Sequence, residues 1–377
     1  MNIVTKIKQL IEELCPNGIG YKELQDILTI KNGSDYKNLG EGDFPVYGSG
    51  GIMTYVDRFA YDKPSVLIPR KGSIDKLYYV DTPFWNVDTI FYTEINTDVA
   101  IPKFVFYCLQ KQHLEELNTA GGVPSLTQKV LNKVKIPVPP LPVQEEIVRI
   151  LDTFTELTTE LTTELTTRKQ QYEHYTYQLL NFDDTVQTHQ LRELIDFRNG
   201  KGHEKDIVSD GKYIVVNSKF ISTNGEVKKY SNKQTCPLFV DDILMVMSDL
   251  PNGRALAKCF LVAEDDKYTL NQRIGAFHVM DESVIKTKFL LYVLNRNQQL
   301  LRYDNGVDQT NLRKDDILDI MIPVPSIEEQ ERIVAILDRF DTLCNDISEG
   351  LPAEIEARQK QYEYYRDKLL TFKALSA

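Results

Sequence analysis

IPVPPLPVQEEIVRILDTF, residues Ile136–Phe154, returns near the end of the chain as IPVPSIEEQERIVAILDRF, residues Ile322–Phe340, with 12 of 19 positions identical. Further on, RKQQYEHYTYQLLNF (Arg168–Phe182) matches RQKQYEYYRDKLLTF (Arg358–Phe372) at 8 of 15 positions. A repeat of this length predicts a fold made of two copies of one unit. The matter between the copies is largely dissimilar. Two similar connectors therefore hold two dissimilar domains.

Within the first connector, Pro137, Pro139, Pro140 and Pro142 force an extended entry, because proline lacks a backbone donor and disfavours helix before it. A helix is then predicted from Val143 to Phe182. Ile147, Ile150, Leu151, Phe154, Leu157, Leu161, Leu165, Tyr172, Tyr175 and Leu179 recur at steps of three, four or seven, a coiled-coil-like stripe. A tandem TELT tract occupies Thr155–Thr166. Its period of four overshoots the helical period, so its leucines drift around the axis. The second connector contains Gly350-Leu351-Pro352, a stop and restart that predicts two helices, Glu328–Glu349 and Pro352–Phe372. Packing between helices is assigned to Ile147, Leu151, Phe154, Leu157, Leu161 and Leu165, and to Ile333, Leu337, Phe340 and Leu343.

Outward from the connectors, five segments are expected. Residues 1–18 form an amphipathic helix with Ile3, Ile7, Leu10, Ile11 and Leu14 on one face, stopped at Cys15–Gly18. A mixed domain spans 19–135, with strands at Phe44–Ile52, Ser65–Pro69, Lys76–Val80 and Asp88–Tyr92 and a helix at Pro102–Leu117. The first connector takes 136–188. A second mixed domain spans 189–321, with strands at Tyr213–Ser218, Asp242–Ser248 and Cys259–Glu264 and a helix at Lys288–Leu301. The second connector takes 322–377. Faint kinship between the domains shows at their edges. LQDILTIKNG (Leu24–Gly33) is like LRELIDFRNG (Leu191–Gly200), and glycine-bearing loops (Gly121–Leu131 and Gly306–Ile317) precede each IPVP.

An apolar content of 42% in 377 residues supports real cores. Five scattered cysteines without a CxxC argue against a disulfide framework or a zinc site. No apolar run is long enough to span a membrane, and the N-terminus lacks a signal-peptide core, so cytoplasmic residence is expected. The net charge of −11 argues at first against a nucleic-acid partner. Its distribution weakens the objection, because the acid excess sits on the connectors and leaves the domains between them neutral. Lys31–Lys135 holds 12 basic and 12 acidic residues, and Leu191–Ile322 holds 19 of each.

The whole chain resembles the specificity subunits of type I restriction–modification systems. The resemblance is carried by LIEELCPNG at the start and by FPVYGSGGI with RKGSIDKLYYVDTPFWNVDT in the first domain. DILMVMSDLPNGRALAKCF with YTLNQRIGAF in the second domain and both connectors complete it. It implies an α+β architecture of two mixed α/β target-recognition domains, separated and braced by two long antiparallel helical connectors in a pseudo-twofold repeat. Each domain would read one half of a split, asymmetric double-stranded DNA target. The connectors would set the gap and dock two modification (methyltransferase) subunits. S-adenosylmethionine, ATP and Mg would belong to modification and restriction subunits, with no cofactor or metal on this chain. A two-domain helical scaffold without DNA specificity is the alternative.

The chain lacks the asparagine- or aspartate-Pro-Pro-aromatic motif of amino-methyltransferases, a GxxxxGK[ST] loop and a GxGxxG after a strand. Its five histidines are isolated in sequence, and no catalytic site is expected. Base reading needs forked donors and acceptors near flexible loops. The first domain offers Tyr47, Ser49, Arg70, Lys71 and Ser73. The second offers Asn199, Lys201, Asn252, Arg254, Asn271, Gln272 and Arg273. Each is also compatible with a solvated loop or a turn.

Overall fold

The computed structural model describes residues 3–118, 125–251, 253–346 and 348–375. Asn252, the start of the Gly121–Leu131 loop and the side chain of Ile3 lie outside the described residues. The chain divides into two units, Met1–Glu164 with Pro352–Ala377, and Leu165–Leu351. Each holds one mixed α/β domain.

In the first unit, α1 (Ile3–Leu14) leads to β1 (Tyr21–Glu23) and β2 (Leu28–Asn32). Phe44–Ile52, read above as one strand, is a hairpin of β3 (Phe44–Gly48) and β4 (Gly51–Val56). Gly51 has φ +116°, which only glycine adopts freely, so the run reverses instead of continuing. There follow β5 (Ser65–Pro69), β6 (Tyr78–Val80), β7 (Trp85–Asn86) and β8 (Ile90–Ile95). The helix expected to reach Leu117 ends earlier, as α2 (Pro102–Lys111), because His113 turns left-handed at φ 47°. A short α3 (Gln128–Leu131) and β9 (Lys135–Pro137) lead into α4 (Leu141–Leu180).

The second unit runs through β10 (Thr188–Gln190), β11 (Ile195–Asn199), β12 (Ile207–Val208), β13 (Tyr213–Val216), α5 (Ser218–Ser222) and β14 (Tyr230–Ser231). It continues with β15 (Ile243–Val246), β16 (Ser248–Asp249), β17 (Cys259–Leu261), β18 (Tyr268–Leu270) and β19 (Ile274–Val279). The helix expected over Lys288–Leu301 is two, α6 (Thr287–Leu294) and α7 (Gln298–Leu301), with Arg296 at φ 58° between them. Then come β20 (Thr310–Asn311), α8 (Lys314–Leu318), β21 (Met321–Pro323) and α9 (Ile327–Asn345). The last helix, α10 (Leu351–Leu369), belongs to the first unit.

The domains share a topology. The main sheet of the first has order β2-β8-β5-β6, and that of the second β11-β19-β15-β17, antiparallel throughout. In the smaller sheets, β3 lies between antiparallel β4 and parallel β7, just as β13 lies between antiparallel β14 and parallel β18. Two-stranded ribbons, β1 with β9 and β10 with β21, close each domain next to its connector.

The identical connector residues make identical bonds. The buried Gln144 carboxamide accepts from Ile101 N–H (2.9 Å) and donates to the Val99 and Pro139 carbonyls (3.0 and 2.7 Å). Gln330 accepts from Lys286 N–H (2.8 Å) and donates to Val284 and Pro325 (3.0 and 2.9 Å). Asp152 takes Lys103 and the Tyr107 hydroxyl, and Asp338 takes Lys288 and the Tyr292 hydroxyl. Burial first, then the adjoining carboxylate, pushes both phenols upward, so they stay neutral donors.

Helix α4 contributes residues to both units. At about 1.5 Å per residue its 40 residues span about 60 Å. In the TELT tract Thr155, Thr158, Thr159 and Thr162 each donate to the carbonyl four residues back, at 2.8 to 3.0 Å. Between α9 and α10, Gly350 N–H bonds Asp346 O (3.1 Å), and a Cβ there would stand 2.4 Å from Thr342 O. The chain must break at this point.

In the first unit Ile147 and Leu151 are buried and Phe154 stacks on Tyr365 (5.2 Å, 19°). In the second, Ile333 and Leu337 are buried and Phe340 lies against Tyr172 and Tyr175 (6.0 and 5.6 Å). Leu157, Leu161 and Leu165 are half-buried, as drift around the axis requires. Leu343 is displaced from the seam, 37% exposed. The inward series runs through buried 333 and 337, half-buried 340 and buried 344, so Cys344 takes the place one residue on.

Candidate nucleic-acid interface

Strands β2, β3 and β5 end, and β8 begins, at one edge of the first domain. Four backbone bonds tie the loops there. Ser34 N–H donates to Asn86 O (2.9 Å), Val87 to Tyr47 (3.0 Å), Arg70 to Thr89 (2.9 Å) and Leu126 to Arg70 (2.9 Å). The second domain repeats all four. Lys201 N–H donates to Leu270 O (3.1 Å), Asn271 to Val216 (3.1 Å), Met247 to Arg273 (3.0 Å) and Leu312 to Met247 (2.8 Å). These bonds match the loop positions one to one, although the sequences differ.

Tyr47, Ser49, Arg70, Lys71 and Ser73 all fall on this edge. Tyr47 is half-buried against Tyr78 and Phe84 (5.9 and 6.1 Å), so its ring braces the edge. Burial pushes the Tyr47 and Tyr78 phenols upward. Tyr78 donates to Ser49 O (3.2 Å). Gly72, at φ +77°, brings the next loop within 3.3 Å of Ser49 Oγ, measured from the Cβ it lacks. Lys71 bridges to Ser125.

In the second domain Asn199, Lys201, Asn271, Gln272 and Arg273 come together, with Lys201 bridged to Asn271. Gly200 is required: a Cβ would sit 1.8 Å from Asn271 O. The buried His203 ring bonds Lys201 O (2.7 Å) and Thr269 Oγ1 (2.9 Å), which pins this loop to β18. Gln272 donates to Glu204 (3.1 Å) and is partly committed. Arg254 is exposed on a loop closed by Asp249, whose carboxylate accepts from Leu250, Ala255 and Leu256. A cavity of 280 Å³ opens beside them, lined by His203, Glu204, Ile207, Asn217, Lys229 and Asn271.

Several positions escaped the sequence reading. The matched bonds add Ser34 and Thr89 to the first edge, as counterparts of Lys201 and Arg273. Asn217 and Lys229 join the second. LTIKNG beside LIDFRNG was the signal that would have found Ser34.

Among the described residues, commitment separates the arginines of the second domain. Arg192 pairs with Asp319, Arg198 with Asp242, and Arg296 bonds Leu256 O (3.0 Å). The side chains of Arg254 and Arg273, like that of Arg70, make no hydrogen bond or ion pair. No group of three His, Cys, Asp or Glu among the described residues could hold a metal ion. No described helix is long and apolar enough to cross a membrane.

The sequence profile described as "Type I restriction modification DNA specificity domain" matches residues 16–168 and again 183–357. The chain belongs to that family. Each copy of the specificity domain takes in one α/β domain and part of the helical connector after it. A Haemophilus influenzae protein named as a type I restriction enzyme specificity subunit is 30% identical, over 88% of this chain and 89% of that one. An Escherichia coli type I restriction enzyme specificity subunit is 34% identical, over 74% and 73%. The crystal structure of a type I restriction-modification system S subunit from M. genitalium shares the specificity fold, with TM-score 0.60 at 16% identity over 94% and 96% of the chains.

Proposed function

We propose that the chain is the DNA-recognition subunit of a type I restriction–modification complex, each domain reading one half of a split, asymmetric target. One observation carries this reading: the same bonded edge occurs twice, with different side chains at matched places. A repeated frame supplies the same approach to DNA, and the variable groups on it supply sequence preference. The domains for this role are 19–135 and 189–321, with the helical segments 136–188 and 322–377 docking two modification subunits. Those partners bring S-adenosylmethionine, and restriction subunits bring ATP and Mg. This chain supplies specificity and no catalytic group. Its setting is the cytoplasm, where the DNA is.

Half-sites read by paired units need a fixed spacing. One TELT unit lengthens α4 by about 6 Å, against about 3.4 Å per base pair. Deleting Thr155–Thr158 is expected to shift the unread gap by one or two base pairs. An unchanged gap would remove the helix from that role.

The deciding experiment maps adenine methylation across a host genome, with the chain and its modification subunit expressed together and each alone. A split motif that needs both is expected. A motif formed without this chain would leave a helical scaffold.

A further inference from the structure

The matched edges differ at Arg70 and Phe91 together. In the first domain the Arg70 guanidinium lies over the Phe91 ring, 5.1 Å from its centroid, and Phe91 is 2% exposed. Nε of Arg70 is buried with no hydrogen-bond partner. The backbone is pinned on both sides by the bonds to Thr89 and Leu126. The same two bonds hold Met247 in the second domain. Strand register extends the match: Pro69 faces Ile90 as Val246 faces Ile274, so Phe91 corresponds to Gly275. A Cβ on Gly275 would stand 2.8 Å from the Phe197 ring and 2.9 Å from Met247 Sδ, so those side chains fill the place that the Phe91 ring takes in the first domain. Arginine and ring occur together in one domain and are replaced together in the other.

The terminal nitrogens of the guanidinium, unlike Nε, are not buried, and they make no hydrogen bond within the protein, so they are the donors left to meet an acceptor from outside. A cation–π contact with the Phe91 ring holds the Arg70 guanidinium at this place, and its fork suits two acceptors side by side. A phosphate offers such acceptors but carries no sequence information. An anchor of that kind would serve both halves of a target alike. A group kept in one copy of a frame and replaced in the other discriminates between sequences.

We infer that Arg70, oriented by Phe91, reads one guanine through O6 and N7 in the half-site of the first domain. The inference rests on the DNA-recognition reading above. Met247 and Gly275 give the second domain no such fork at the corresponding place.

The test uses the complex assembled with its modification subunits and the motif it methylates. Every guanine of both half-sites is replaced in turn by 7-deazaguanine, which pairs normally but lacks the N7 acceptor. With the natural chain, one guanine in one half-site is expected to lose about tenfold or more in methylation rate, within the range of a bidentate contact. Arg70→Met, which installs the residue of the second domain, is expected to abolish that penalty and relax that position alone. The other half-site keeps its stringency and reports that the protein is folded. Phe91→Leu takes the ring from beside the guanidinium while keeping an apolar group in the core of the first unit, and is expected to weaken discrimination at the same position.

An Arg70→Met protein with every position as stringent as before would overturn the inference. So would a loss spread evenly over all sequences, which marks a phosphate anchor, or a natural chain insensitive to deazaguanine everywhere. If Arg70→Met does not fold, Arg70→Lys, which keeps the charge and loses the fork, takes its place in the deazaguanine scan. Failure of the natural chain to direct any split motif would instead sink the recognition reading itself.

Discussion

Gln144 and Gln330 make the same three backbone bonds in the two units, while Arg70 in one stands where Met247 stands in the other. The first pair joins domain to connector, and the second lies at the loop edge. The contrast separates two jobs. Side chains that fix the frame are held to one geometry by buried backbone groups that tolerate no substitute. Side chains hung from the frame are free to differ, because the bonds beneath them are backbone bonds and do not register side-chain identity.

The sharpest way to break this comparison is to remove the frame residues one unit at a time. Gln144→Ala and Gln330→Ala each remove three bonds from a buried carboxamide to backbone groups that are mostly part-buried, and each is expected to cost about 3 kcal/mol in urea unfolding. A large loss at one glutamine and none at the other would end the equivalence. Asp152→Asn and Asp338→Asn keep the shape but give up the charge that Lys103 and Lys288 meet, and matched losses of about 1–2 kcal/mol are expected.

Glu146 tests where the units part. It accepts from Arg149 (2.7 and 3.0 Å) and Lys6 (2.8 Å), and the second copy has Arg332 at that place. The Arg149 bonds first hold its carboxyl down at about 2, with burial opposing and Lys6 assisting. Its contribution is complete above the unfolded value of about 4.3 and is lost as the pH falls from there through about 2. Thermal melts at pH 6 and pH 3 should show that loss in the natural chain. Glu146→Gln should cost about 1 kcal/mol at pH 6 and leave less acid sensitivity. Unchanged acid sensitivity would place the titrating group elsewhere. The smallest effect is expected at Lys201→Ala, whose counterpart in the first domain is Ser34: it should relax sequence preference in the second half-site alone, whereas an even loss across sequences with a salt slope lower by about 1 would make Lys201 a phosphate contact.

How much of this was legible in sequence follows from the same division. The repeat exposed the frame because Gln144, Asp152 and Phe154 recur as letters, and letters that bond buried backbone keep their geometry. The break at Gly350 was readable for a steric reason local to the chain. The hairpin at Phe44–Val56 was not, since one residue with positive φ turned an apolar run back on itself. The edge was partly legible. Arg70 and Arg273 stood out as forked donors by glycine-rich runs, but their correspondence with Met247 and Thr89 lies in backbone bonds that leave no trace in residue type. Leu343 was misread by a single helical step of about 100°.

The first unit is discontinuous. Leu369 and Leu370 complete its core, and Ile19 bonds Lys373 and Leu375 at the other end of the chain (2.9 and 3.1 Å). The second unit, Leu165–Leu351, is one uninterrupted stretch. On the ribosome the usual order of maturation is therefore inverted. The domain made first must wait for the last helix to emerge, on the order of 10–40 s at about 5–20 residues per second, while the domain made second can close around residues already in hand. During that interval the apolar face beside Tyr107 and Phe154 is bare, and a nascent chain paused there offers chaperones their longest opportunity.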